Sequence, residues 1–150
     1  MIAAVSPEGV IGLHGQIPWR RPADLRRFKR LTVGTTVIMG RNTWNERKRP
    51  LPDRRNLVVT RTPIDGVECF PTLREAVAAC SGEIWLIGGA GIYREGMELA
   101  DVIDLTYVPD HVHHPDAVHF PPIDLLRFEA GPREPHPDDP ELALQRFRRR

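Results

Sequence analysis

Short apolar runs alternate with amphipathic segments from Ile2 to Val108, and that alternation limits the fold more than any other feature. Residues 2–5, 36–39, 56–60, 68–70, 83–87 and 102–108 read as buried strands. Residues 22–31, 42–46, 73–79 and 92–97 read as the helices between them. Pro22 suits the first turn of a helix, and Gly34 lies just past the end of that segment. Thr72 followed by Glu75 forms a capping-box pattern. Strands alternating with helices imply an α/β fold with a mainly parallel central sheet and helices on both faces. Residues 126–130 and 142–148 read as an antiparallel C-terminal pair, which brings the strand count to about eight. With no internal repeat and no linker, residues 1–150 are expected to form a single domain.

The segment 6–21 carries Pro7, Gly9, Gly12, Gly15 and Pro18 and reads as one long loop. A loop of that length inside a compact domain is expected to be functional.

Composition narrows the function class. Apolar residues make up 41% and charged residues 27% of 150, so the chain is globular. With 21 basic and 20 acidic residues the net charge is +1, which argues against non-specific nucleic-acid binding. Cys69 and Cys80 lack zinc-site spacing and read as reduced thiols of a cytoplasmic protein. No apolar run is long enough to span a membrane, and no signal peptide is legible. The 15 prolines, about twice average usage, mostly mark loops between apolar segments.

Three features carry candidate chemistry. Asp24, Phe28 and Leu31 share one face of the first helix, which sets a carboxylate in line with an apolar stripe. Such an acid either complements the helix dipole or stands in an apolar cleft, where it can hold a heterocycle with an amino group beside a ring N–H. Gly88-Gly89-Ala90-Gly91 follows a strand and opens a helix, as a tight turn or as a backbone cradle for phosphate. Two further strand ends, Gly40-Arg41-Asn42-Thr43 and Thr60-Arg61-Thr62, add arginine beside hydroxyls. That pairing suits a ligand with several phosphates, one of them a 2′-phosphate, or else a solvated surface. The segment from Asp110 to Asp116 holds His111, His113 and His114 without a helix or hairpin to set ligand spacing, so no metal site is expected.

Taken in order, these pieces resemble the dihydrofolate reductase family in its bacterial form. The likeness covers roughly residues 2–120. It runs through Ile2-Ala3-Ala4, Val10-Ile11-Gly12, Ile17-Pro18-Trp19, Pro22-Ala23-Asp24-Leu25 and Phe28-Lys29. It continues through Val37-Ile38-Met39-Gly40-Arg41-Asn42-Thr43-Trp44, Arg49-Pro50-Leu51-Pro52 and Arg54-Arg55-Asn56. Ile87-Gly88-Gly89, Ile92-Tyr93, Leu105-Thr106 and His119-Phe120-Pro121 complete it.

The resemblance implies a dihydrofolate reductase-like fold, NADPH as cofactor and dihydrofolate as substrate. Asp24 would hold the pterin, with Thr106 linked through water and Trp19 beside it through an ordered water. Ile2, Ala4, Phe28, Ile87 and Tyr93 would line the pterin pocket. Leu25, Phe28 and Leu51 would flank the p-aminobenzoyl ring, and Arg54 would pair with the glutamate carboxylate. Ile11 and Ile17 would belong to a mobile loop over the nicotinamide. Ala4, Gly40, Arg41, Asn42, Thr43, Thr60 and Arg61 would face the cofactor. So would Gly88, Gly89, Ala90, Gly91 and Ile92, with a cis peptide joining Gly88 to Gly89. The resemblance also implies antifolate inhibitors as ligands, and we expect a monomer.

Four places depart from the family pattern. The first is the strongly polar Asn45-Glu46-Arg47-Lys48 after Trp44, where a Ser and then an apolar residue are common. Arg47 stands where an apolar side chain usually touches the p-aminobenzoyl ring. Asp116-Ala117-Val118 lacks a hydroxyl usual near the cofactor. The C-terminal strand keeps only an alternation where aromatics are usual. Two other readings compete: a related pterin or pyrimidine reductase, and a catalytically silent NADPH- or folate-binding module. Asp24 within Pro-Ala-Asp-Leu and the Ile-Pro-Trp segment favour the folate enzyme.

Overall fold

Strands and helices alternate as expected in the computed structural model, which describes residues 1–150. In chain order they are β1 (Ile2–Val5), β2 (Val10–Gly12), α1 (Pro22–Thr32), β3 (Thr36–Gly40) and α2 (Arg41–Arg47). There follow β4 (Arg55–Val59), β5 (Glu68–Phe70), α3 (Leu73–Ala78), β6 (Ile84–Leu86) and α4 (Ala90–Gly96). The chain ends with β7 (Val102–Tyr107), β8 (Val118–His119), β9 (Phe128–Ala130), β10 (Glu134–His136) and β11 (Asp139–Arg149).

Local chemistry sets the helix ends. Pro22 opens α1, and the Val33 N–H closes it on the Lys29 carbonyl before Gly34 turns at φ +77°. Thr72 Oγ1 accepts the Glu75 N–H at 3.2 Å, one half of the expected capping box.

The order β5-β4-β3-β6 is parallel throughout. The order β1-β7-β11-β10 mixes a parallel β1–β7 pair with antiparallel neighbours, and β9 pairs with β11. The result is a mixed α/β sheet with the antiparallel C-terminal pair in place: Phe147 lies opposite Ala130. Side chains carry the packing across from β6 to β1. Leu86 and Met1 crowd Gly96 so closely that an added Cβ would lie 2.5 Å from one and 2.7 Å from the other.

Period-two burial sorts the core into two layers. Ile38, Leu57 and Leu86 face Leu73 and Ala76 of α3 and Ile92 and Tyr93 of α4. Val37, Met39, Val58 and Trp85 face Trp44 of α2 and Phe28 and Leu31 of α1. Helices therefore cover both faces.

Three strands escaped the sequence reading. The 6–21 segment is not loop throughout, because Val10 and Gly12 pair with His119 and Val118. β10 lies between prolines, with Pro135 inside it and Pro137 just after. β2, β8 and β10 have two or three residues each and pair outside the parallel run of strands, so no alternation marks them.

Candidate active site

The site is built where α1 crosses β7. Alternation along β7 sends Ile103 and Leu105 into one core layer. Asp104 and Thr106, both buried, point the other way, towards α1. Asp24 and Arg27, three apart and so neighbours on the helix surface, meet them. Thr106 Oγ1 donates to Asp24 Oδ1 at 2.7 Å. Arg27 donates to both Asp104 oxygens, at 2.8 and 2.7 Å. Arg146, opposite Asp104 in the β7–β11 register, adds a third bond at 2.8 Å. Asp104 is thus a buried carboxylate neutralised by two guanidinium groups, and the same clamp fixes α1 over β7.

Asp24 has no such neutralisation. Burial raises its pKa above the usual aspartate value; the Thr106 hydrogen bond and Arg27 oppose that rise in part. His136 of β10 stands next to it, its Nε2 3.9 Å from Asp24 Oδ1. The ring is buried, and its Nδ1 accepts the Asp138 N–H at 3.0 Å, which assigns the proton of the neutral ring to Nε2. Nε2 has no hydrogen-bond partner.

Apolar side chains surround the acid. Ile2, Ile87, Phe28 and Leu51 belong to one packed layer with Leu31, so the stripe read from Asp24, Phe28 and Leu31 faces the core as expected. Leu25 and Ile17 remain half-exposed, at 50% and 53%, as walls of an open cleft do. Ala4 lies opposite Thr106 in the β1–β7 pairing. Tyr93 packs in the other layer beside Phe120, and reaches this side only through its hydroxyl, which donates to the Ile2 carbonyl at 2.8 Å. Trp19 is half-buried just ahead of α1.

Two arginines flank the outer end. Arg54 donates to Thr32 Oγ1 at 3.0 Å and to the Pro52 carbonyl at 2.9 Å, and it forms no ion pair. Arg47 places its guanidinium over the Phe28 ring, 5.8 Å from the centroid.

A glycine-lined junction forms the second half of the site. The Gly40 N–H donates to the Gly88 carbonyl at 2.8 Å, which brings the starts of α2 and α4 together. Both N-cap residues, Gly40 and Gly89, lack a capping side chain, so first-turn N–H groups around Arg41, Asn42 and Thr43 and around Ala90, Gly91 and Ile92 are left uncapped. The Gly88–Gly89 peptide is cis. A Cβ on Gly40 would lie 3.3 Å from Ile92, and one on Gly89 would lie 3.7 Å from Thr43 Oγ1. Arg41 is exposed and donates to the Thr62 carbonyl, in the turn that holds Thr60 and the exposed Arg61. Ile11 lies in β2, half-buried against the core.

Comparison with known proteins decides the family. The dihydrofolate reductase family model matches residues 1–148. The chain belongs to the dihydrofolate reductase family. Enzymes of that family use NADPH to reduce dihydrofolate. The chain is similar to the type 3 dihydrofolate reductase of Salmonella typhimurium, 41% identical over 144 residues, covering 93% of this chain and 88% of that one. It is 42% identical over 131 residues to the dihydrofolate reductase of Mycobacterium leprae, covering 82% and 79%. Among solved structures it is similar to the Enterococcus faecalis dihydrofolate reductase complexed with NADP(H) and RAB-propyl. That likeness has a TM-score of 0.85 at 29% identity and covers 99% of this chain and 94% of the other.

Four residues around Asp24 and Asp104 were not found from the sequence: Arg27, Asp104, Arg146 and His136. Each acts through a partner far away in the chain, and none falls in a local motif.

Proposed function

We propose that residues 1–150 act as one domain that reduces 7,8-dihydrofolate to 5,6,7,8-tetrahydrofolate, with Asp24 orienting the pterin. The observation that carries this reading is the contrast between a buried carboxylate, Asp104, and a partly buried one, Asp24. Asp104 is neutralised by Arg27 and Arg146, whereas Asp24 keeps an oxygen available at the inner end of an apolar cleft. A carboxylate placed there pairs with a ring N–H and an adjacent amino group, which is the edge a pterin presents.

The glycine junction fits NADPH. Uncapped helix starts offer N–H groups to phosphate oxygens, and Gly40 and Gly88 let the two turns pack closely, since a Cβ there would lie 3.3 Å from Ile92 and 3.2 Å from the Tyr93 hydroxyl. Arg41, Thr43, Thr60 and Arg61 supply charge and hydroxyls around it, as a 2′-phosphate needs. When bound, the nicotinamide supplies the hydride from C4 that reaches pterin C6. Asp24 fixes and polarises the ring, and since no second free acid lines the cleft, a water delivers the proton to N5. Ile11 and Ile17 lie on the segment that closes over this end and keeps bulk solvent out. Ile2, Phe28 and Leu51 hold the apolar part of the substrate, and Arg54, free of any ion pair, takes the glutamate carboxylate.

The same cleft takes antifolate inhibitors. We place the enzyme in the cytoplasm as a monomer. Its free Cys69 and Cys80 suit a reducing compartment, and no helix is long and apolar enough to cross a membrane. Asp24→Asn tests the assignment: kcat/KM for dihydrofolate is expected to fall by about 10²–10⁴, the range of a lost proton-handling group. Unchanged kcat/KM overturns the role of Asp24.

A further inference from the structure

Away from the cleft, the turn between β1 and β2 meets the 109–117 segment through a cluster of side chains. The turn is tight: the Gly9 N–H donates to the Ser6 carbonyl at 2.9 Å, and the Ser6 N–H to the Val10 carbonyl at 3.0 Å. It presents Glu8, whose side chain is 21% exposed. One carboxylate oxygen, Oε1, accepts the Val112 N–H at 2.8 Å. The other, Oε2, lies 2.5 Å from His111 Nδ1 and 3.4 Å from His113 Nε2. The two imidazoles are nearly parallel, at 9°, and all three ligand atoms lie within 4.8 Å of one another.

We propose that Glu8, His111 and His113 form a site for a divalent transition-metal ion of the zinc class. Two imidazoles and one carboxylate make a three-ligand set that leaves one tetrahedral position to water. Tetrahedral ligand atoms about 2.0–2.1 Å from zinc sit about 3.4 Å apart, which is the present separation of Glu8 and His113. The ion would take the place of the His111–Glu8 hydrogen bond and push that pair apart by about 1 Å. The Val112 N–H already holds the carboxylate in its ligating orientation, as an outer partner does in metal sites. At 3.4 Å the His113 contact is too long for a good hydrogen bond, whereas a cation at the centre of the three groups satisfies all of them. The histidine pattern alone did not show this, because the carboxylate lies 103 positions away in the chain.

A neighbouring group supplies the control. His14, His114 and Asp116 also converge, but His114 Nδ1 already accepts the Asp116 N–H at 3.0 Å, so that lone pair is taken. Bound at the Glu8 site, the ion ties the start of the 6–21 segment to residues 111–113 and braces the turn.

The test is calorimetric titration of tag-free, chelator-stripped protein with Zn²⁺ alone, with a thermal melt as second readout. Wild type is expected to bind one Zn²⁺ per chain and to melt at higher temperature when loaded. Glu8→Gln, and His111→Ala with His113→Ala, are expected to weaken binding at least about tenfold and to lose the thermal shift. His14→Ala with His114→Ala is expected to keep both. The proposal is overturned if wild type shows no saturable binding, if Glu8→Gln binds as well as wild type, or if only the His14/His114 variant loses the ion.

Discussion

The buried His136 imidazole holds its unpartnered Nε2 3.9 Å from Oδ1 of Asp24. Asp24 also faces Thr106 and Asp104 of β7 and Arg27 of its own helix, so the carboxylate has four polar neighbours. The Nε2–H dipole, and still more a protonated ring, favours the ionised acid. His136→Leu removes that influence and is expected to move the Asp24 titration to higher pH. A ¹³C carboxylate titration by NMR reads it directly. An unchanged or lowered midpoint contradicts the account.

Burial of Asp24 costs stability at neutral pH. Its folded pKa is raised, chiefly by burial, so the folded state binds this proton more tightly than the unfolded chain does. Stability from this group is therefore fully present below the ordinary aspartate range and is lost as pH rises through the raised value. At neutral pH the ionised acid is a standing cost, and Asp24→Asn is expected to unfold at higher urea than wild type, since Asn can still accept from Thr106. The advantage should shrink as pH falls through the aspartate range. A destabilised Asn variant at pH 7 would argue against this balance.

Removing Asp104 has the opposite effect. Its carboxylate is fully buried and receives three bonds from Arg27 and Arg146. Asp104→Ala leaves two guanidinium groups facing a vacancy and is expected to cost about 3–5 kcal/mol in urea unfolding. A cost under about 1 kcal/mol would mean that solvent reaches and compensates both arginines.

Arg47 packs its guanidinium on Phe28. The guanidinium over Phe28 and the Arg54 side chain, which donates to Thr32, place two positive charges at the outer end of the cleft. Arg47→Leu is expected to raise KM for dihydrofolate by up to about fivefold, as a partly screened charge allows, with kcat nearly unchanged. The effect should fade in high salt. A fall in kcat with unchanged KM would place Arg47 in the chemistry instead.

The sequence and the structure agree where the signal is local. β1 and β5 have the expected bounds, and α1 exceeds its expected span by one residue, because alternation, Pro22 and Gly34 are read from neighbours along the chain. The 24/28/31 spacing aligned Asp24 with apolar residues but left the helix-dipole reading open, and the family resemblance singled the acid out. What was not legible is what joins distant segments. Arg27 and Asp104 are 77 positions apart, and Asp104 and Arg146 are 42 apart, so neither pair has a local signature. His136 sits between Pro135 and Pro137, which masked a short strand as loop. Thr106, which the resemblance links through water, also donates directly to Asp24, 82 positions away in the chain.

The most direct test of the account follows NADPH absorbance after dihydrofolate is added to purified enzyme, wild type beside Asp24→Asn. The account predicts loss of the NADPH band, dependent on dihydrofolate, for wild type and a severely slowed loss for the variant. No NADPH consumption by folded wild type, or equal rates for the two proteins, would contradict it.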